Sequence, residues 1–337
     1  MDSKRSFILV LISALAVLAG CSTYGEAPMP SQGGKVVLNF HGEVVTRSPA
    51  DGTVVSLDLL AFRTDEGTLD AMEHSDDGNG ISVSLSCGTA LTIYILANTP
   101  IGALDGISCL DDFLSSETLL EESSAERPLM YDFGMTEGLN ESDNGRSIVF
   151  HLKRYVAKVS LESITVPWLD EFDHKPECII GRIALVNAKG STGRSGEPSR
   201  YGDLWYNRSD VDAPPEVSEM LIHNIGTSVS DTEPVSCSTS LYAMPNHSDS
   251  EAFYTGEAWT PRRSRIAIEL IVDGSSQWYP VTLPSLDGNC HYQIQNVSIT
   301  GPGATHPDAA IVRSNIGFTI SLSPWEVNNE SIDFTNN

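Results

Sequence analysis

From Lys35 to Arg47 the chain alternates, with Val36, Leu38, Phe40 and Val44 separated by Asn39, His41 and Glu43. A period of two puts these apolar side chains on one face of a β-strand and the polar ones on the other. The turn Ser48-Pro49-Ala50-Asp51-Gly52 then breaks the pattern, so this first strand is separable from the remainder of the chain. Strand-like runs recur over 53–62, 81–85 and 90–97, bounded by Asp/Gly-rich turns such as 75–80. Leu110, Phe113, Leu114 and Leu119, set among acids, predict a helix over 104–122. The β pattern resumes over 148–152 and 156–164, with a domain boundary expected near 153–155. It continues over 179–186, 238–244, 265–272, 278–283, 292–300 and 317–323. Segments 188–199 and 210–233, rich in Gly, Ser, Pro and acids, read as loops. Short strands with frequent turns predict an all-β protein of β-sandwiches rather than a parallel α/β sheet.

The N-terminus has a different pattern. Lys4 and Arg5 precede an apolar stretch from Phe7 to Gly20, the length of a signal-peptide core and too short to cross a bilayer as a stable helix. It ends in Leu18-Ala19-Gly20-Cys21, which resembles the bacterial lipobox, where the Cys thiol is acylated and becomes the new N-terminus. Residues 1–20 therefore read as a lipoprotein signal peptide and Cys21 as the lipid attachment site. Each buried methylene adds about 0.8 kcal/mol, so two or three acyl chains including palmitate hold a protein firmly on a membrane. Ser22 stands where an inner-membrane retention Asp would be, which favours the outer membrane. Residues 22–34, rich in Pro, Gly and Ser, read as a flexible tether.

A length of 337 residues with 40% hydrophobic side chains suits two domains of about 150 residues. The formal net charge of −25 argues against nucleic acid, whose phosphates demand a basic face. Five cysteines follow Cys21, at 87, 109, 178, 237 and 290, and none form a CxxC pair; most are expected to be small buried hydrophobes. No metal site, cofactor or catalytic group is expected. Gly190-Ser191-Thr192-Gly193 has the wrong spacing for a nucleophile elbow, and the eight His include no HExxH pair. The 76–80 turn lacks the alternating ligands of a calcium loop. Trp205-Tyr206 and Trp259 fall in loop-like sequence and could serve as a glycan platform, whereas Trp168, Trp278 and Trp325 sit beside strand patterns and read as core.

Taken in order, several segments resemble the fimbrillin family, the lipoprotein-derived type V pilins of Bacteroidota-type bacteria. They are the lipobox at Cys21, the amphipathic strand ending at Thr46-Arg47, VVSLDLLAF at 54–62, ALTIYILANTP at 90–100, HLKRYVAKV at 151–159 and LYAMPN at 241–246. The stretch WYPVTLPSLDGNCHYQIQNVSITGPGATHPD at 278–308 and FTISLSPWE at 318–326 complete the series. The resemblance implies two tandem transthyretin-like Greek-key β-sandwich domains, 48–152 and 153–325, after the signal peptide and a tether with a removable first strand, 21–47. It implies an outer-membrane lipoprotein cut by a trypsin-like surface protease after an Arg that corresponds to Arg47, between Arg47 and Ser48. The partners implied are other pilin subunits, as a homopolymer or with anchor and tip subunits. The locations are the cell outer membrane and then the extracellular pilus, with a role in adhesion.

The residues make physical sense of that scheme. A sandwich stripped of Val36, Leu38, Phe40 and Val44 exposes an apolar groove and two unpaired strand edges that would accept a replacement strand. The alternation of Ile316, Phe318, Ile320 and Leu322 is expected to complete the protein's own sandwich over 318–325, which leaves the tail 326–337, with Val327, Ile332 and Phe334, as the candidate donor strand. The alternative from another class is a monomeric surface glycan-binding lipoprotein that keeps its first strand and uses its loop aromatics.

Overall fold

Alternation over the first strand and continuous apolar runs in the next ones produce strands of two kinds. β1 (Lys35–Glu43) buries one face, whereas β2 (Leu57–Arg63) and β5 (Leu91–Ala97) are buried along almost their whole length. The computed structural model describes residues 34–44, 53–171, 173–198, 204–208, 219–229 and 233–324. In its N-terminal half β3 (Leu69–Ser75), β4 (Ile81–Ser86), β6 (Glu117–Leu119), β7 (Met130–Thr136), β8 (Ser147–His151) and β9 (Lys153–Arg154) join β1, β2 and β5. A three-stranded sheet of order β4-β1-β8 shares its core with a five-stranded sheet of order β3-β2-β5-β7-β9. Val36, Leu38 and Phe40 meet Leu57, Leu59, Ile93 and Ile95 there. The five-stranded sheet has a second apolar face, where Leu60, Phe62, Tyr94 and Leu96 lie under Phe113. Burial on both faces explains why β2 and β5 do not alternate in sequence.

The C-terminal half contains β10 (Ala157–Thr165), β11 (Cys178–Val186), β12 (Ala188–Lys189), β13 (Ser191–Gly193), β14 (Trp205–Tyr206) and β15 (Ile222–Ser228). These are followed by β16 (Val235–Ala243), β17 (Arg265–Val272), β18 (Ser275–Thr282), β19 (Cys290–Ile299) and β20 (Ile316–Pro324). Two four-stranded sheets, β16-β10-β19-β20 and β15-β11-β17-β18, enclose a core that includes Val159, Leu161, Ile180, Ile268, Tyr292 and Ile294. Both halves use one local plan. β1 lies between antiparallel β4 and parallel β8, and β10 lies between antiparallel β16 and parallel β19. The chain is all-β apart from one short helix and a few 3₁₀ turns among the described residues.

Three local expectations fail, one of them the loop expected over 210–233, in which Ile222–Ser228 form β15 and pair antiparallel with β11. The helix expected over 104–122 shrinks to α1 (Leu110–Ser115), because residues 117–119 pair as β6 with β13 instead. Asp112 fixes the start of α1 by accepting from the hydroxyl and amide of Ser108 and the amide of Cys109. These bonds, the Ser108 hydroxyl foremost, pull its carboxyl down to about 2. Within 188–199, expected to be a loop, β12 and β13 are strand and residues 188–195 are buried. The polar side chains of this segment are used against the N-terminal half. Arg194 donates to the Glu117 carbonyl at 2.6 Å, its amide bonds the Ser116 carbonyl, and the Leu120 amide bonds the Gly190 carbonyl. The Tyr155 hydroxyl donates to the Arg194 carbonyl at 2.5 Å while its ring stacks on Tyr131. Gly196 has φ +87° and a Cβ there would collide with the Tyr131 ring, so only glycine closes this turn. All five described cysteines are free thiols, and burial pushes those of Cys178 and Cys237 up to about 11.

Candidate functional site

β1 is central in its sheet, and that position follows from its sequence. Val36, Leu38 and Phe40 point into the core, where the Phe40 and Phe150 ring centroids are 5.8 Å apart. Val44 lies just beyond the strand end and packs half-buried on the same core. Lys35, Val37, His41 and Glu43 face outward. Along one edge β1 is in register with β4 from Lys35↔Ser86 to Phe40↔Ile81; along the other it is in register with β8 from Asn39↔Ser147 to Glu43↔His151. Side chains reinforce the ladder. Ser82 donates to Asn39 Oδ1 at 2.7 Å and the Val37 amide donates to Asn144 Oδ1 at 3.0 Å. Withdrawing β1 would open an apolar slot between the edges of β4 and β8 and leave both edges unpaired.

The slot has a closed end that reading the alternation missed. Gly42 occupies the inward position after Phe40, and a Cβ there would lie 2.7 Å from Leu152 Cδ1 and 3.2 Å from Leu57 Cδ2. Both leucines are fully buried, and Gly42 is not among the glycines with positive φ. The glycine therefore serves close packing rather than a turn. The available signal was the glycine itself, since a glycine inside a strand pattern marks a close approach.

On the outward side, a cavity of about 610 Å³ is lined by Asn39, His41, Glu73, His74 and Asp77 among others. His74 Nδ1 lies 2.7 Å from Asp58 and its Nε2 lies 3.2 Å from Asp76. The hydrogen bond to Asp58 is the main reason the His74 pKa is raised. Among the described residues no group of His, Cys, Asp and Glu could hold a metal ion.

Cys21, Arg47 and Ser48, and Val327, Ile332 and Phe334, lie outside the described residues. Among those residues no helix is long and apolar enough to cross a membrane. β20 pairs antiparallel with the edge of β19. Ile316 and Ile320 pack on the C-terminal core, whereas Phe318 and Leu322 remain 41% and 58% exposed, so β20 covers its sheet edge with only part of its apolar set. The loop aromatics are not an open platform. Trp205 and Tyr206 are buried, the Tyr206 hydroxyl donates to Glu121, and Trp259 donates to Asn187 with its ring against Trp205 and Arg262.

The overall fold recurs in solved structures. A fimbrilin (FimA) from Porphyromonas gingivalis W83 matches with a TM-score of 0.63 over 88% of this chain and 99% of that one, at 15% identity. The fold is that of the fimbrillins. A protein from Bacteroides eggerthii, described as a candidate cell adhesion protein, matches equally well, with a TM-score of 0.63, 15% identity and coverage of 87% and 97%. The tip fimbrial protein Mfa3 of P. gingivalis follows, with a TM-score of 0.50, 16% identity and coverage of 86% and 100%. No family model and no curated protein matches the sequence.

Proposed function

We propose that this chain is a structural subunit of a cell-surface pilus. It is exported as a lipoprotein attached through Cys21, cut between Arg47 and Ser48 by a trypsin-like surface protease, and polymerised by strand exchange in support of adhesion. The observation that carries this reading is the position of β1, which is central in its sheet and lies next to the chain start, with an apolar face that a replacement strand could supply. In this reading 48–152 and 153–325 are the two sandwich domains, and the tail, through Val327, Ile332 and Phe334, is donated to another subunit. The partners are other pilin subunits, and the location is the outer membrane and then the extracellular pilus. The protein acts by assembly and not by catalysis, in keeping with neighbours that are fimbrial proteins. Burial of Trp205 and Tyr206 weighs against the glycan-binding alternative. The test is mass spectrometry of the N-terminus of protein sheared from cells. Chains beginning at Ser48 and running as SDS-resistant ladders are expected; lipidated monomers beginning at Cys21 would overturn the reading.

A further inference from the structure

The closed end of the β1 slot has a consequence for which strand can replace β1, an inference that rests on the exchange reading above. Three inward places accept side chains, filled by Val36, Leu38 and Phe40, and the fourth is shut by Leu152 and Leu57. Both leucines are fully buried, so a side chain in the fourth place must displace them within a packed core, and such overpacking is destabilising. We propose that the slot selects its donor by this shape. Its partner is an extended strand of a different subunit, with three apolar side chains at alternate positions followed, two residues on, by glycine.

The chain's own C-terminal segment does not fit this pattern. Seating Phe334 in the Phe40 place puts Ile332 in the Leu38 place and brings Asn336 onto the closed position. Seating Ile316, Phe318 and Ile320 in the three open places brings Leu322 there. Run in the opposite direction, Gly317 reaches the closed position only by pushing Thr319, Ser321 and Ser323 into the apolar places, and residues 318–337 contain no glycine. The subunit is therefore built to receive a strand from a chain unlike itself, and a filament containing it alternates or terminates there rather than growing as a pure homopolymer.

The experiment uses the full chain cut after Arg47 and labelled peptides. One peptide is residues 34–47, a second is the same peptide with Gly42→Val, and a third is the tail 326–337. The wild-type peptide should exchange into the slot, and the Gly42→Val peptide should bind at least about tenfold more weakly, as overpacking of a buried site costs. The tail peptide should bind no better than the Gly42→Val peptide. In a Leu152→Ala protein the Gly42→Val peptide should regain affinity relative to wild type; Leu57→Val opens the same place should Leu152→Ala fail to fold. Equal binding of the first two peptides, or a tail peptide as tight as residues 34–47, overturns the selectivity while leaving strand exchange standing. Failure of the wild-type peptide itself to exchange overturns strand exchange and the selectivity together.

Discussion

Cutting the chain after Arg47 should not by itself release β1, and Phe40→Ala should show why. Val36, Leu38 and Phe40 are each essentially fully buried. At about 1.5–3 kcal/mol per fully buried side chain they contribute about 4.5–9 kcal/mol, before two flanking ladders are counted and the ordering of the strand is subtracted. Truncating Phe40 removes its contact with Phe150 and leaves a cavity, a change that costs about 3–5 kcal/mol. That is a large share of the roughly 5–15 kcal/mol by which a domain is stable. In the uncut chain the loss should appear as an earlier urea midpoint. After cutting, the strand is held without the advantage of covalent attachment, so the same loss should speed its departure by about two to three and a half orders of magnitude at 1.4 kcal/mol per tenfold. The assay is native mass spectrometry of cut protein at micromolar concentration. Wild type should retain the released segment and Phe40→Ala should lose it within minutes. Equal retention by both, with a urea midpoint unchanged by Phe40→Ala, would refute the view that these side chains hold the slot closed.

Other expectations rest on single residues. Arg47→Ala should keep residues 34–47 covalently attached under a trypsin treatment that cuts wild type after Arg47, read as the mass of the denatured chain, and deletion of 326–337 should leave the protein unable to donate to the pilin subunits it assembles with in cells, read on SDS gels without boiling. Cys21→Ser should abolish palmitate labelling and surface delivery. Gly196→Val should destabilise the protein by more than about 1 kcal/mol in thermal denaturation, because it forces a β-branched residue into positive φ against the Tyr131 ring. His74, whose folded pKa is raised chiefly by its hydrogen bond to Asp58, should contribute stability that is fully present below the ordinary imidazole value of about 6.5 and is lost as pH rises through the raised value. Its side chain is 46% exposed, so the effect should stay below about 1 kcal/mol; His74→Gln should flatten the pH profile of the denaturation midpoint in that window.

How much was legible depended on whether a residue's burial was decided by its own neighbours in sequence. β1 advertises itself because one face is buried and one is not, so Val36, Leu38 and Phe40 stand out against Asn39 and His41. The runs at 53–62 and 90–97 were legible as strands for the opposite reason, since both of their faces are covered and few polar residues interrupt them. The failures were decided by distant partners. Leu119 and Leu120 follow a helical spacing, yet Ser191, Thr192 and Gly193 offer residues 117–119 an antiparallel ladder that local propensity does not register. Segment 188–199 looks like a solvated loop because Ser191, Thr192 and Arg194 are polar, and these three are buried because each finds a bond in place of water. The closed end at Gly42 depends on Leu152, 110 residues downstream by the numbering, and only packing reveals it.

The pairing of β6 with β13 also sets an order of events for a chain whose N-terminal half is made first. Leu120 and Leu129 belong by sequence to the first half but are buried in the core of the second. Until residues 188–194 and the strands behind them have emerged and closed, those two leucines and the open backbone of 116–120 face water. Pairings of such long sequence separation form late and slowly, and the intermediate that waits for them is the species at risk of aggregation. The first half is therefore a poor candidate for expression as an isolated fragment, because its own strands leave Leu120 and Leu129 uncovered.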